Sequence, residues 1–266
     1  MRAQWGVLIF LRFFYVVGHG GVGHALLIVF LSWVCAFLTG LSLSAIATNG
    51  KVERGGAYYL ISRALGHRLG GAVGCTYYLG ITLLATLETL GAVEVLLAVE
   101  PSLALGDDQL GIRVWAAALV AAMGSMVYMG MGFVSKMGVF FAVIVALTLL
   151  SYYVGLTTAP LGNAPDAVTG LSADTLRDNW GPEYEDGVNF SIALSVFFPC
   201  FTGILSGANR AQALRDPQRS IPLGTLGAIC ISLCMYVSFM VLWGAVADRG
   251  YLKYGAKYLK YEVEEV

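Results

Sequence analysis

Long runs of apolar residues recur along this chain, and they restrict what it can fold into more than any other feature. The lipid hydrocarbon core is about 30 Å thick, and a helix crosses it in about 20 residues. Runs of that length cover residues 22–47, 70–99, 114–132, 137–156, 188–208 and 221–246. A shorter run covers residues 1–17 and is interpreted as part of a further span. Because helices satisfy their own backbone in lipid, the pattern predicts an all-α polytopic membrane protein with seven spans.

Composition excludes several other classes of protein. Of the 266 residues, 58% are hydrophobic and only 12% are charged, which is far from the balance of a soluble domain. The net charge of −1 and the lack of a basic run give no indication of nucleic-acid binding. The three histidines lack metal-site spacing and no serine lies in a nucleophile elbow, so we expect neither an enzyme nor a bound cofactor.

Positive charges predict how the spans are oriented. Lysine and arginine are concentrated in two connections, residues 48–69 and 209–220, which places both in the cytoplasm. Seven spans counted from an inside amino terminus put these two connections on the same side. The acidic connection 157–187 is then an external, solvated loop. The tail from Asp248 is interpreted as an irregular external segment or an ending foreign to the native protein.

The run at 188–208 contains a predicted break in its helix. Pro199 has no N–H group and clashes with the carbonyl one turn earlier, and Thr202 and Gly203 follow closely. We therefore expect the backbone to unwind across residues 199–203. Irregular backbone at membrane depth is tolerated where protein or a water-filled cavity surrounds it, and transporters place ion sites there. The alternative is a proline kink that serves packing alone.

A related tripeptide occurs five spans earlier. Gly6-Val7-Leu8 opens the first run, and Gly203-Ile204-Leu205 follows the break in the sixth. Five-span inverted repeats are typical of secondary transporters whose discontinuous helices direct half-helix ends at an ion. Free N–H groups at the start of a half-helix favour an anion, so both tripeptides are candidate anion sites.

Five longer motifs carry a resemblance to a known family. They are Gly6-Val-Leu-Ile-Phe-Leu-Arg12, Ser44-Ala-Ile-Ala-Thr-Asn-Gly50, Gly55-Gly-Ala-Tyr-Tyr-Leu-Ile-Ser-Arg63, Phe197-Phe-Pro-Cys-Phe-Thr-Gly-Ile-Leu-Ser-Gly-Ala-Asn209 and Asp216-Pro-Gln-Arg-Ser-Ile-Pro222. Together, and in this order, they resemble the electroneutral cation–chloride cotransporters. The resemblance implies a transporter of twelve spans, built of two inverted five-span repeats plus two spans. Residues 1–266 would then be an incomplete transmembrane domain, a fragment holding the first repeat and two spans of the second.

The resemblance also implies what the protein transports and where. It indicates symport of chloride with potassium, sodium or both, in the plasma membrane, by a homodimer. Its chloride contacts fall on the backbone of Gly6, Val7, Leu8, Gly203, Ile204 and Leu205. Its potassium contacts fall on the carbonyl of Pro199, which the break is expected to free, and on the hydroxyl of Thr202. Both are oxygen ligands, as hard cations require.

Three ionisable residues lie inside predicted spans. Glu88 replaces a tyrosine that the resemblance leads us to expect in the third span. It is either a protonated carboxyl bonded to a nearby carbonyl or a cation ligand in the ion pathway. For Arg12 and Glu94 we favour structural pairing, Arg12 with a carboxylate and Glu94 with a basic residue elsewhere in the bundle, over ion binding.

Two other functions fit the same sequence. One is a half-length accessory or dominant-negative membrane protein that does not transport by itself. The other is an amino-acid permease of the same superfamily. Tracer flux separates them from a symporter, because only a symporter moves chloride and rubidium together.

Overall fold

A computed structural model of the chain shows helices throughout its described part. It describes residues 8–49, 56–103, 108–158, 167–185, 187–209, 211 and 214–254. The α-helices are α1 (Leu8–Thr48), α2 (Gly56–Leu65), α3 (His67–Val99), α4 (Asp108–Tyr128), α5 (Met131–Thr158), α6 (Ala173–Asp178), α7 (Phe190–Phe197), α8 (Ser206–Asn209), α9 (Pro217–Val246) and α10 (Arg249–Tyr254). Six helical stretches are long and apolar enough to cross a membrane. The predicted all-α polytopic class is thus confirmed.

Helix α1 combines the end of the first predicted span with the second. The two parts meet at Gly21, whose φ of 64° and ψ of 168° are not helical. A Cβ atom at this position would lie 2.2 Å from the carbonyl oxygen of Gly181. Only glycine meets both demands, so the connection between the two spans is reduced to a turn at one residue.

The connection between the fourth and fifth spans differs from the prediction. The sequence prediction ended one span at residue 132 and began the next at 137. In the structure α4 ends at Tyr128 and α5 begins at Met131. Gly130 has a φ of 98° and makes the turn, so residues 133–136 belong to α5. The run is almost continuously apolar, and hydropathy alone did not locate the turn.

The core lies between α1, the broken sixth span and α9. Phe13 of α1 contacts the rings of Phe197 and Tyr236 at centroid distances of 5.4 and 5.2 Å. Phe201 packs edge-on against the same tyrosine at 4.9 Å. Aromatic pairs of this geometry each contribute about 0.5–1.5 kcal/mol beyond the area they bury. This packing fixes the sixth span against its neighbours and positions the break.

The predicted external segments are more regular than the sequence suggested. The connection before α7 contains α6, which Ser172 caps by accepting a hydrogen bond from the N–H of Thr175. The tail is not irregular up to Tyr254, because α10 follows α9 directly and buries Leu252 and Lys253. Backbone hydrogen bonds from Gly170 and Ser172 to the end of α9 hold the two segments together.

Candidate functional site

The sixth span is broken where the proline motif predicted. Helix α7 ends at Phe197, and residues Phe198–Phe201 form a 3-10 turn. Thr202 then has extended backbone, and Gly203 has a φ of 90°. Helix α8 begins at Ser206. Unwinding is therefore confirmed, but it is centred on residues 202–205, because the 3-10 turn retains local hydrogen bonds around Pro199.

The carbonyl groups before the break are not free. Pro199 O accepts hydrogen bonds from the N–H of Thr202 at 3.1 Å and from its hydroxyl at 2.6 Å. Cys200 O accepts one from the hydroxyl of Tyr236 at 2.7 Å. The expectation of a freed Pro199 carbonyl was wrong, since a 3-10 turn closes on that oxygen. The hydroxyl oxygen of Thr202 still has lone pairs to offer.

The backbone N–H groups after the break have no such partners. Among the described residues, none accepts a hydrogen bond from the N–H groups of Gly203, Ile204 or Leu205. The chain turns back into helix through the N–H of Ser206, which donates to Gly203 O at 3.1 Å. Three consecutive donors thus remain available at the start of a half-helix.

The matching tripeptide of the first span is only partly described. Gly6 and Val7 lie outside the described residues, and Leu8 is the first residue of α1. Their predicted part in an anion site stays a prediction.

A cavity of about 470 Å³ adjoins the unwound segment. It lies between α1, α3 and the break, and we call it the central cavity. Its lining is Thr39, Tyr77, Ile81, Leu84, Ala85, Glu88, Gly203, Ile204, Leu205, Ser206 and Asn209. Glu88 and the second predicted chloride tripeptide therefore share one cavity. Pro199 and Thr202 do not line it, so the structure separates the two groups of predicted cation ligands.

Several residues of the central cavity were not predicted from sequence. Tyr77 and Asn209 are joined by a hydrogen bond of 2.7 Å from the amide of Asn209 to the tyrosine hydroxyl. A signal for the α3 lining was present, because Tyr77, Ile81 and Glu88 recur on one helical face. The neighbours of that face could not be read from sequence, because they come from α1 and α8.

Arg12 and Glu94 form an ion pair at 3.8 Å between α1 and α3. The predicted structural pairing of both residues is confirmed. Their side chains are 37% and 53% exposed, and neither lines the central cavity. This arrangement agrees with a link between spans and not with a ligand set in the central cavity.

Comparison with known proteins gives a consistent set of relatives. The amino acid permease family matches residues 2–258. A cation-chloride cotransporter 1 of Oryza sativa subsp. japonica is 36% identical over 282 residues, covering 92% of this chain and 28% of the relative. Solute carrier family 12 member 2 of Homo sapiens is 36% identical over 248 residues, covering 92% of this chain and 20% of the relative. The chain thus spans less than a third of the length of these relatives.

Proposed function

Since this chain belongs to the amino acid permease family, and within it to the cation–chloride cotransporters, we propose that it forms part of a secondary symporter of chloride with potassium, sodium or both. One observation carries this proposal. The unwound segment at Gly203–Leu205 and the carboxyl group of Glu88 line the same cavity. A group suited to an anion and a group suited to a cation are thereby brought together.

Chloride is the ion that the unwound segment suits best. Its three N–H groups have no acceptor within the described part of the chain. N–H groups at the start of a half-helix carry partial positive charge and bind anions without a basic side chain. A small monovalent anion needs no more than such donors and a cavity from which lipid is excluded.

Glu88 provides a physical basis for coupling a cation to that anion. An anion close to an ionised carboxylate is repelled by about 4 kcal/mol at about 4 Å in a partly screened environment. A cation held between the two charges turns this repulsion into two attractions. Chloride and cation then bind better together than either binds alone, which is the thermodynamic requirement for symport.

A second cation site is proposed at Thr202, outside the central cavity. Its hydroxyl oxygen lies 2.6 Å from Pro199 O, which puts two oxygen atoms side by side. The family relationship supports potassium at this place. It also supports an inverted-repeat arrangement, a homodimer and a plasma-membrane location as parts of the same proposal.

Tracer uptake tests the proposal in a version that carries the remaining spans of the relatives. Rubidium uptake should depend on chloride, and chloride uptake should depend on the cation. Glu88→Gln should weaken the dependence of each ion on the other, whereas Glu88→Asp should preserve it. Glu100→Gln, on the turn after α3, is the matched control. Amino-acid uptake without chloride dependence would contradict the proposal, and so would surface expression without any flux.

A further inference from the structure

A second cavity lies on the opposite side of the unwound segment. It has a volume of about 260 Å³ and is enclosed by the break, by α8 and by the first turns of α9. We call it the α9 cavity. Gly203, Ile204 and Ser206 line both this cavity and the central one. The unwound segment is therefore a thin wall between two spaces.

The α9 cavity contains a buried hydroxyl group without a partner. Thr225 is only 8% exposed and lies on the cavity wall. In the described part of the chain its hydroxyl makes no hydrogen bond, although other threonines such as Thr82 and Thr86 bond the carbonyl four residues earlier. Leaving a buried hydroxyl unpaired costs about 1–3 kcal/mol. The group is therefore suited to a ligand in the cavity.

Two more hydroxyl groups face the same space. Ser206 and Ser220 line the cavity, and neither hydroxyl bonds a described residue. Ser220 is exposed and Thr225 is buried, so the cavity leads inward from the surface along α9. The distance along the helix axis is about 7.5 Å for five residues.

Glycine residues keep the α9 cavity open. A Cβ atom added to Gly224 would meet no atom within 4 Å, because it would enter empty space. A Cβ atom added to Gly207 would lie 3.4 Å from the hydroxyl oxygen of Thr225. Larger residues at these two positions would occupy the space beside the unpaired hydroxyl.

The polar groups and the surrounding charges favour an anion. No acidic residue is among the lining, and the hydroxyl groups can act as donors. Arg215 and Arg219 lie beside the entrance, while the carboxylate of Asp216 is engaged in capping α9 through the N–H of Arg219. A cation would find hydroxyl oxygens but no counter-charge in the lining.

We propose that the α9 cavity is a second binding place for chloride, between the break and the end of the bundle that carries Arg215 and Arg219. The identity of the ion rests on the proposed function, whereas the site rests on Thr225, the two serines and the glycines. An ion there would be separated from the central cavity only by the backbone of Gly203 and Ile204.

Binding can be measured directly on the purified 266-residue chain in lipid nanodiscs, from the excess line width of the ³⁵Cl resonance. Thr225→Val keeps the shape of the side chain but removes the donor, and we expect the chloride affinity of this site to fall about tenfold. Thr225→Ser should restore it. Gly224→Leu should block the cavity, and Gly227→Leu is its control, because Gly227 also has open space around it but does not line the cavity.

The outcomes separate this inference from the proposed function. Reduced broadening in Thr225→Val and Gly224→Leu, with Gly227→Leu unchanged, supports the α9 cavity. Broadening that is the same in all variants overturns the α9 cavity and leaves chloride at the break in place. A wild-type chain that causes no broadening overturns both.

Discussion

Thr202 shows how a single side chain can end a helix and still serve as an ion ligand. Its hydroxyl donates to Pro199 O at 2.6 Å, so the hydrogen is used within the turn. The lone pairs of the hydroxyl oxygen are then directed away from Pro199. Two oxygen atoms at this spacing can share one alkali cation.

We predict that Thr202→Val weakens rubidium uptake by roughly five- to hundredfold in affinity, because the cation loses one oxygen ligand worth about 1–3 kcal/mol. Thr202→Ser keeps the oxygen and should retain near-normal affinity. Thr148→Val is a suitable control, since Thr148 is exposed on α5 and bonds only its own helix. Equal affinity in all three variants would contradict a cation site at Thr202.

Glu183 is the charged residue with the clearest set of partners outside the spans. It pairs with Arg249 at 2.7 Å and with Lys253 at 3.1 Å. The hydrogen bond from Arg249, followed by that from Lys253, lowers the pKa of Glu183 to about 2. Lys253 is 4% exposed and also pairs with Glu185 at 3.0 Å, so these contacts attach α10 to the segment before α7.

This arrangement predicts a pH dependence of stability. Because the folded state lowers the pKa of Glu183 below the ordinary value of 4.5, its contribution is fully present above about pH 4.5 and is lost as the pH falls toward about 2. Thermal unfolding followed by intrinsic fluorescence should show this loss in the wild type. Glu183→Gln should start less stable at neutral pH and lose less on acidification. Parallel curves for the two proteins would contradict the assignment.

At the scale of elements, the turn inside α1 depends on one glycine. Gly21 has a φ of 64°, and the segment that carries Gly181 packs directly against it. The N–H groups of Val22 and Gly23 donate to Asn179 O and Trp180 O, at 2.9 and 3.1 Å. The same backbone strand thus ends one helical part and begins the next.

Gly21→Ala should therefore destabilise the chain strongly. The left-handed conformation alone costs a non-glycine residue about 1–2 kcal/mol, and the added Cβ atom would also collide with Gly181 O. We expect a midpoint of thermal unfolding lower by roughly 5 °C or more. Gly124→Ala on α4 is the control, because an added Cβ there meets no atom within 4 Å. A similar midpoint in both variants would contradict this account of the turn.

The elements that sequence alone identified are those with strong local signals. Long apolar runs located the spans, and Pro199 with Gly203 located the break, because both effects arise within a few residues. The short helices α2 and α10 were missed, since their stability comes from tertiary contacts such as that of Leu252. The central cavity joins Glu88 to Gly203, more than 100 residues apart in the sequence, and no local pattern encodes that proximity.

At the scale of the whole molecule, the connections that were predicted to share a side are found together. Gly56 at the start of α2 packs against Asn209, since an added Cβ atom would lie 2.9 Å from its Cα. Leu60, Ala211 and Ile221 belong to one hydrophobic cluster. At the other end of α9, Asn179 donates to the carbonyl oxygens of Gly244 and Ala247, both at 2.9 Å. The basic connections thus gather at one end of the bundle and the acidic segment at the other.

This arrangement makes the orientation of the chain testable with two cysteine substitutions. Basic residues are retained in the cytoplasm, so Arg215→Cys should react with a membrane-impermeant maleimide only after the cells are permeabilised. Asp174→Cys, on α6, should react in intact cells. The exposed native cysteines, Cys35, Cys75, Cys230 and Cys234, lie within spans, and lipid should shield them, so the unmodified chain gives the background. The reverse pattern would overturn the orientation but not the packing. Labelling of both positions from one side would contradict the packing itself, because α9 separates Arg215 from the segment that Asn179 holds at its far end.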